Sequence, residues 1–267
     1  MAKIGLVAGA GSLPIIFADN AKKFGDAVIA FGLKGVSSDD LPDHVEKMHW
    51  LEWGDFQKGL FLLAAERIRK IALLGKLEKS LFFKNESDLD AKSKEAIGRV
   101  KDKKDYSLLK KASDIIAKFG VEVMDPTVYL GELMPEKGVL TKSSPTDKES
   151  MDIKYASSVA RELSKFDIGQ TVVVKDNTVV ALEAVEGTDE TIKRAGTLAG
   201  GGFTVVKMAR PDQDMRFDVQ LVGLDTLKSL IDAGGRVLAL EAKRTMLIDR
   251  KEIIELADEK NVAIVVI

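Results

Sequence analysis

The sequence predicts an α/β protein in two parts: a domain over residues 1–137 with a parallel sheet, and a domain of mixed α/β architecture over 138–267. Three observations lead there. Short apolar runs alternate with helix-length amphipathic stretches, the pattern of a parallel sheet with helical crossovers. A glycine turn, Gly9-Ala10-Gly11, joins the first apolar run to the first helix. After 136–145, which carries Gly138, a Ser-Ser pair and Pro145, the pattern changes to β-branched runs around a tight turn.

Composition narrows the chemistry. The chain has 267 residues, 45% of them hydrophobic, enough to bury a core in each of two domains. Lys+Arg 40 against Asp+Glu 42 leaves a formal charge of −2, which argues against a dedicated nucleic-acid binder while allowing a local basic pocket for an anion. There is no cysteine, so disulfides, thiolate metal sites and cysteine nucleophiles are excluded. His44 and His49 are the only histidines, so a bound metal is expected to be hard and oxygen-ligated, such as Mg²⁺. The start runs directly into a strand-like segment with no signal-peptide pattern, and no run reaches the length of a membrane span. A soluble, cytoplasmic protein is the expectation.

In chain order, Lys3 to Ala8 reads as a strand and Ile15 to Phe24 as a helix. Ser12 is expected to cap that helix and Pro14 to occupy its first turn. Such a helix start receives anions. The turn is similar to the dinucleotide fingerprint, so the first domain is Rossmann-like. Pro14 stands at the third glycine position, and the second strand, Ala27 to Phe31, leads into Gly32-Leu33-Lys34 rather than to an acid for a ribose. An NAD-dependent oxidoreductase is therefore a distant alternative.

A third strand falls within 49–53. Asp55 is expected to cap a helix over 56–69, and Lys70 to Gly75 reads as a buried strand with Lys76 beyond its end. Ligands in such sheets sit at strand C-termini, here Gly9 to Leu13, Lys34 and Lys76. Segment 85–105 is strongly charged and expected at the surface, 106–119 is amphipathic, and 121–124 is a strand ending at Asp125-Pro126. Segment 136–145 is expected to be a linker.

Thr146-Asp-Lys-Glu149 has the spacing of a capping box for a helix over 150–165. Residues 171–175 and 178–185 flank Asp176-Asn177, a hairpin signal. A polar turn, Glu186-Gly-Thr-Asp189, opens a helix over 190–195. Segment 203–207 is a strand. After it, Arg210, Asp212, Asp214, Arg216 and Asp218 crowd one loop, which reads as an anion or metal site or as a solvated charged loop. Further helices and strands over 224–267 complete a second α/β layer.

Several segments then match one family. They are Gly5-Leu-Val-Ala-Gly-Ala-Gly-Ser-Leu-Pro14, Lys142-Ser-Ser-Pro145, Phe166-Asp-Ile-Gly-Gln170, Ala181-Leu-Glu-Ala-Val-Glu-Gly-Thr-Asp189, Arg216-Phe-Asp-Val-Gln-Leu-Val-Gly223 and Gly234. Together they resemble the LpxI-type UDP-2,3-diacylglucosamine pyrophosphatases of lipid A synthesis. The resemblance runs along nearly the whole chain. It departs at Gln220, where the family more often has Pro, at Val222 in place of Ile, and at Leu77 in place of Val.

The resemblance implies two domains with a ligand cleft between them, a divalent cation such as Mg²⁺, and attack of water on the α-phosphorus. The products implied are UMP and 2,3-diacylglucosamine 1-phosphate. It implies Asp218 as an aspartate needed for catalysis; from the residues themselves, Asp218 is the candidate metal ligand or water-orienting base, and Asp189 is a second acid for the same site. It implies substrate binding by Gly9, Gly11, Gly187, Thr188 and Asp189; Ser12, Leu13 and Lys76 join them from their place at strand ends, and Lys207 and Arg216 from their charge. Lys207, Arg210 and Arg216 have the chemistry to hold phosphate. Asp212 and Asp214 read as ordinary loop acids beside Asp218. The partner implied is a UDP-linked diacylglucosamine lipid, compatible with transient contact at the inner-membrane surface and with a homo-oligomer. Two other classes fit the same residues: a non-catalytic lipid-nucleotide binding protein, and a hydrolase of another nucleotide-diphosphate compound.

Overall fold

The structure is a computed structural model; it describes residues 1–76, 110, 113–166, 168–211, 213–217 and 219–267. The charged segment expected over 85–105, Leu77, and the acids Asp212 and Asp218 lie outside the described residues. So do residues 106–109 and 111–112 of the amphipathic stretch over 106–119. The chain divides into two compact units. Unit 1 is Met1–Leu130 with Asp214–Asp218; unit 2 is Gly131–Gln213 with Val219–Ile267.

Unit 1 is built on a five-stranded sheet. Its strands are β1 (Lys3–Ala8), β2 (Ala27–Leu33), β3 (Lys47–Leu51), β4 (Lys70–Leu74) and β5 (Glu122–Val123), in the order β3-β2-β1-β4-β5. Every pairing is parallel. The strand sequence proceeds outward from β1 in both directions, which puts a topological switch point between the C-terminal ends of β1 and β4. Leu6 sits opposite Ala30 and Ala72 and is fully buried, as expected for a central strand covered on both faces.

Helix α1 (Leu13–Lys23) buries Phe17, Ala18 and Ala21 and carries Lys22 and Lys23 in its last turn, where cations suit the helix dipole. Complete burial of Phe17 contributes about 2–3 kcal/mol. Its ring meets Tyr129 edge-on at 5.2 Å, and Tyr129 lies in the short helix α3 (Thr127–Leu130) that closes the main segment of unit 1. The Tyr129 hydroxyl donates to Asp26 Oδ2 at 2.7 Å. Burial and that bond push Tyr129 up to about 12.

Two expected helix caps are absent. Ser12 is already in helical conformation (φ −81, ψ −18), so its hydroxyl makes no capping bond; its carbonyl instead accepts from the N–H groups of Ile15 and Ile16. Asp55 precedes α2 (Phe56–Ala65), but its carboxylate accepts from Glu52 N–H at 3.1 Å and Lys58 Nζ at 3.0 Å. Thr146, in extended conformation, does form the expected capping box: its hydroxyl accepts from Glu149 N–H, and the Glu149 carboxylate accepts from Thr146 N–H. Capping requires the cap residue to leave helical φ/ψ and to turn its side chain to the first-turn N–H groups; Ser12 fails the first condition, Asp55 (ψ 33) fails the second, and Thr146 meets both.

Unit 2 holds a six-stranded mixed sheet. In chain order its strands are β6 (Gly138–Val139), β7 (Thr171–Lys175), β8 (Thr178–Leu182), β9 (Thr204–Lys207), β11 (Val237–Leu240) and β13 (Ala263–Val266). Their spatial order is β6-β13-β11-β9-β7-β8, with β13, β11 and β9 parallel and the others antiparallel to their neighbours. A separate parallel pair joins β10 (Gln220–Val222) to β12 (Thr245–Leu247). The expected linker is corrected here: Val139 pairs with Val265, and Asp258 Oδ1 accepts from Lys142 N–H at 2.7 Å, so the segment is a sheet edge.

Alternate residues of each strand feed opposite cores. Val173, Val205, Leu238 and Ile264 join one cluster with residues of α5 (Thr188–Ala199), α6 (Leu224–Asp232) and α7 (Arg250–Glu259). Val172, Val206, Ala239 and Ala263 join another with Ile153, Ala156 and Ala160 of α4 (Asp147–Ser164). Among the described residues no helix is long and apolar enough to cross a membrane.

The β7–β8 turn shows how a side chain fixes a backbone. Asp176 and Asn177 both have φ of 55°, as a two-residue hairpin of this twist requires. The carboxylate of Asp152, on α4 and only 3% exposed, accepts from Asp176 N–H at 3.1 Å and Asn177 N–H at 2.6 Å. Asp152→Ala removes both acceptors, and a loss of about 2–3 kcal/mol in urea unfolding is expected; a loss below about 0.5 kcal/mol would show that water replaces the carboxylate.

Candidate active site

Sequence-predicted residues gather at two strand edges, one in each unit. In unit 1 the loops after β1 and β4 are joined at the switch point. Gly9 N–H donates to the Leu74 carbonyl at 2.7 Å, and Ala10 and Lys76 exchange backbone hydrogen bonds of 2.9 Å in each direction. A Cβ at Gly9 would lie 2.8 Å from the carbonyl carbon of Gly75, and one at Gly75 would lie 2.6 Å from that of Gly9. Gly9 is thus used by backbone packing against Gly75. Gly11 (φ +96) has open space where a Cβ would project. Ser12 and Lys76 are exposed and Leu13 is half-buried, so the structure brings the predicted loop and Lys76 to one edge. Lys34, at the end of β2, is in an exposed ion pair with Glu52.

In unit 2 the site lies at the C-terminal ends of β8 and β9. Lys207 ends β9 and is 7% exposed. Burying an ammonium requires compensating acceptors. Lys207 Nζ donates to Thr188 Oγ1 at 2.7 Å, and Thr188 Oγ1 donates to Glu183 Oε1 at 2.9 Å. The Thr171 hydroxyl lies 3.3 Å from that of Thr188, and Glu183 Oε2 accepts from Gln170 N–H at 3.2 Å. Gln170 Oε1 is buried with no donor among the described residues.

Gly187 precedes α5, and Thr188 and Asp189 form its first turn. Asp189 is half-buried and accepts from Thr226 Oγ1 at 2.9 Å. Glu186 is paired with Arg194 at 2.7 Å, which lies among the interactions holding its carboxyl below the usual range, after its own backbone N–H. Beyond β9, Ala209 N–H donates to Glu241 Oε2 at 2.9 Å, and the buried Arg210 offers its carbonyl to Arg244 Nη2 at 2.8 Å.

The charged loop divides between the units. The chain leaves unit 2 after Gln213, contributes Asp214–Asp218 to unit 1 and resumes unit 2 at Val219. Within unit 1, Phe217 packs against the cluster containing Ile29, Phe31, Leu63 and Ile71. Arg216 lies over the Phe217 ring at 4.8 Å and grips Asp214 in a fork, Nε to Oδ1 at 2.9 Å and Nη2 to Oδ2 at 2.7 Å. That guanidinium is the foremost cause holding the Asp214 carboxyl below its ordinary range. A phosphate at Arg216 would compete with this carboxylate.

Family models described as the LpxI N-terminal domain and the LpxI C-terminal domain match residues 3–133 and 136–265. The chain belongs to the LpxI family. The UDP-2,3-diacylglucosamine pyrophosphatase LpxI of Caulobacter vibrioides is 30% identical over 268 residues, covering 97% of this chain and 95% of that protein. Two solved structures also align, N5-carboxyaminoimidazole ribonucleotide synthetase from Thermotoga maritima and N5-carboxyaminoimidazole synthetase from Staphylococcus aureus. They do so at 14% and 17% identity and TM-scores of 0.25 and 0.26. The alignments cover 70% and 74% of this chain and 42% and 45% of theirs, so the chain spans less than half the length of either.

In this LpxI chain the N-terminal match contains the Gly9–Lys76 edge and the C-terminal match contains the Lys207 edge. Residues 214–217 fall in the C-terminal match by sequence but in unit 1 by packing. Glu183, Gln170 and Thr171, which the structure places around Thr188, were not singled out from sequence. Two of them sit inside segments that carried the family resemblance, yet nothing local marks a glutamate after one strand as the partner of a threonine opening the next helix.

Asp214 allows a pH test. Its folded pKa is lowered, so its contribution to stability is complete above the unfolded value of about 4 and is lost as pH falls through the folded one. Wild type should exceed Asp214→Asn in melting temperature by a constant margin at neutral pH, and the margin should shrink below about pH 4. A pH-independent margin would remove the ion pair as its source.

Proposed function

We propose that this LpxI chain hydrolyses the pyrophosphate bond of UDP-2,3-diacylglucosamine, giving UMP and 2,3-diacylglucosamine 1-phosphate for lipid A synthesis. The observation that carries the reading is the pair of LpxI domain matches across the chain, together with 30% identity over 97% of it to a protein named for that activity.

In the proposed reaction the oxygen of a water bonds to the α-phosphorus. The bond from that phosphorus to the bridging oxygen breaks, the bridging oxygen leaves with the sugar phosphate, and the water's proton passes to a base. Asp218 is proposed as the group that orients or deprotonates the water. Lys207 supplies fixed positive charge from a water-poor strand end, where a preorganised cation acts more strongly than in bulk water. The Gly9–Leu13 turn and the start of α1 offer backbone N–H groups to an anionic part of the substrate.

Among the described residues no group of three or more His, Asp or Glu side chains could hold a metal. Mg²⁺ does not need one; it is commonly held by one or two carboxylates with substrate phosphate oxygens supplying further ligands. The oxygen-only donor set therefore fits the cation, and Asp218 with Asp189 are the proposed protein ligands. The cation supplies charge neutralisation on the phosphate oxygens.

Incubation of the purified chain with UDP-2,3-diacylglucosamine and Mg²⁺ should release UMP, and chelation by EDTA should suppress it. Asp218→Ala should lower kcat by roughly 10²–10⁴-fold while circular dichroism stays unchanged. Tight binding of the lipid nucleotide without UMP release would instead identify a binding protein, and wild-type turnover in Asp218→Ala would remove that residue from the mechanism.

A further inference from the structure

The loop that carries Asp218 begins where the sheet of unit 2 stops holding the chain. The parallel ladder between β9 and β11 ends at the pair Lys207–Leu240. Two residues on, a side chain takes over from the ladder: Ala209 N–H donates to Glu241 Oε2 at 2.9 Å. Pro211 has no N–H with which to continue a ladder, so carbonyls are what this stretch offers. The Arg210 carbonyl accepts from Gln213 N–H at 3.1 Å, which closes a turn, and from Arg244 Nη2 at 2.8 Å. The Pro211 carbonyl accepts from the same Arg244 nitrogen at 3.2 Å.

The turn between β11 and β12 that bears Arg244 is itself tied down. Ala242 N–H donates to the Ile267 carbonyl at 3.0 Å, and Lys243 N–H donates to the Pro135 carbonyl at 3.3 Å. Glu241 and Arg244, both half-buried, reach the same backbone stretch from this turn, one as acceptor and one as donor. Thr245, the next residue, opens β12 and pairs with Gln220, the first residue of β10. Two consecutive residues therefore hold the two ends of the 210–220 loop, Arg244 the outgoing end and Thr245 the returning one. Fixing both ends of a loop removes conformations from everything between them. Asp218 stands two positions before Gln220.

We infer that Arg244 is a positioning residue for Asp218: by holding the carbonyls of Arg210 and Pro211 it closes the base of the loop that carries this acid. The inference rests on the reading of Asp218 as the group that orients or deprotonates the water. A guanidinium suits the task, because one terminal nitrogen presents two N–H groups in a fixed plane, one for each carbonyl.

Turnover and UDP binding by the full chain test it, with melting temperature as the control for folding. Arg244→Met keeps an unbranched stem and removes the donors. It should lower kcat roughly 10–10²-fold, the scale of a displacement of about 1 Å at a reacting group, with KM within about threefold of wild type. UDP affinity, read by titration calorimetry, should also stay within about threefold. In the Asp218→Ala background the same substitution should change kcat by less than about twofold, because the acid it acts through is already gone. A merely structural role would lower kcat alike in both backgrounds.

Wild-type kcat in Arg244→Met would overturn the inference, and so would an equal fall in both backgrounds. Loss of UDP affinity with kcat unchanged would also overturn it, by making Arg244 a phosphate-holding group. Should Arg244→Met melt below the assay temperature, Arg244→Lys, which keeps the charge and loses the planar pair of donors, carries the same cycle. If Asp218→Ala turns over too slowly to measure, the split between kcat and UDP affinity decides alone. Failure of the pyrophosphatase reading is seen separately, as a wild type that releases no UMP from the lipid substrate, and the inference falls with it; wild-type turnover in Asp218→Ala overturns the inference while leaving that reading in place.

Discussion

A buried ammonium at the end of a strand ties three elements of unit 2 together. Lys207 cannot be withdrawn from water without acceptors, and one of them, the Thr188 hydroxyl, comes from a helix start. Thr188 stands in the first turn of α5 and passes its own proton to Glu183, just beyond the end of β8. The two cores of the unit, filled by alternate residues of the same strands, hold these three elements in register.

Unit 1 meets a steric rather than an electrostatic constraint. Two loops cross at the switch point with their backbones in contact, and only glycine fits at both positions. The first glycine of the turn thereby serves the fold, while the second, Gly11, leaves open space toward which a ligand can approach. Segment 214–217 is held in the same unit by different means, an aromatic ring in the core and a forked ion pair beside it. A loop that sequence matching assigns to one domain is in this way carried by the packing of the other unit.

Local rules were legible where their local requirement was complete. The Thr146 capping box and the Asp176-Asn177 hairpin formed because spacing and backbone conformation agreed. Ser12 and Asp55 had the right residue type at the right place and still did not cap. One was already helical, and the other found better partners in Glu52 N–H and Lys58. The 136–145 segment looked like a linker because it carries Gly138, a Ser-Ser pair and Pro145, but the edge of β13 was available to it.

By itself the sequence determined the α/β class and membership of the LpxI family, since periodicity and the order of motifs are properties of the chain read along its length. Only the tertiary structure decided the partners of the charged groups. It matched Lys207 to Thr188 and Asp189 to Thr226, and it brought Glu183 to Thr188. The physical reason is that a charge takes whichever partner folding brings within about 3 Å. For Lys207 that partner stands 19 positions earlier in the chain and for Asp189 it stands 37 later, beyond any local spacing rule.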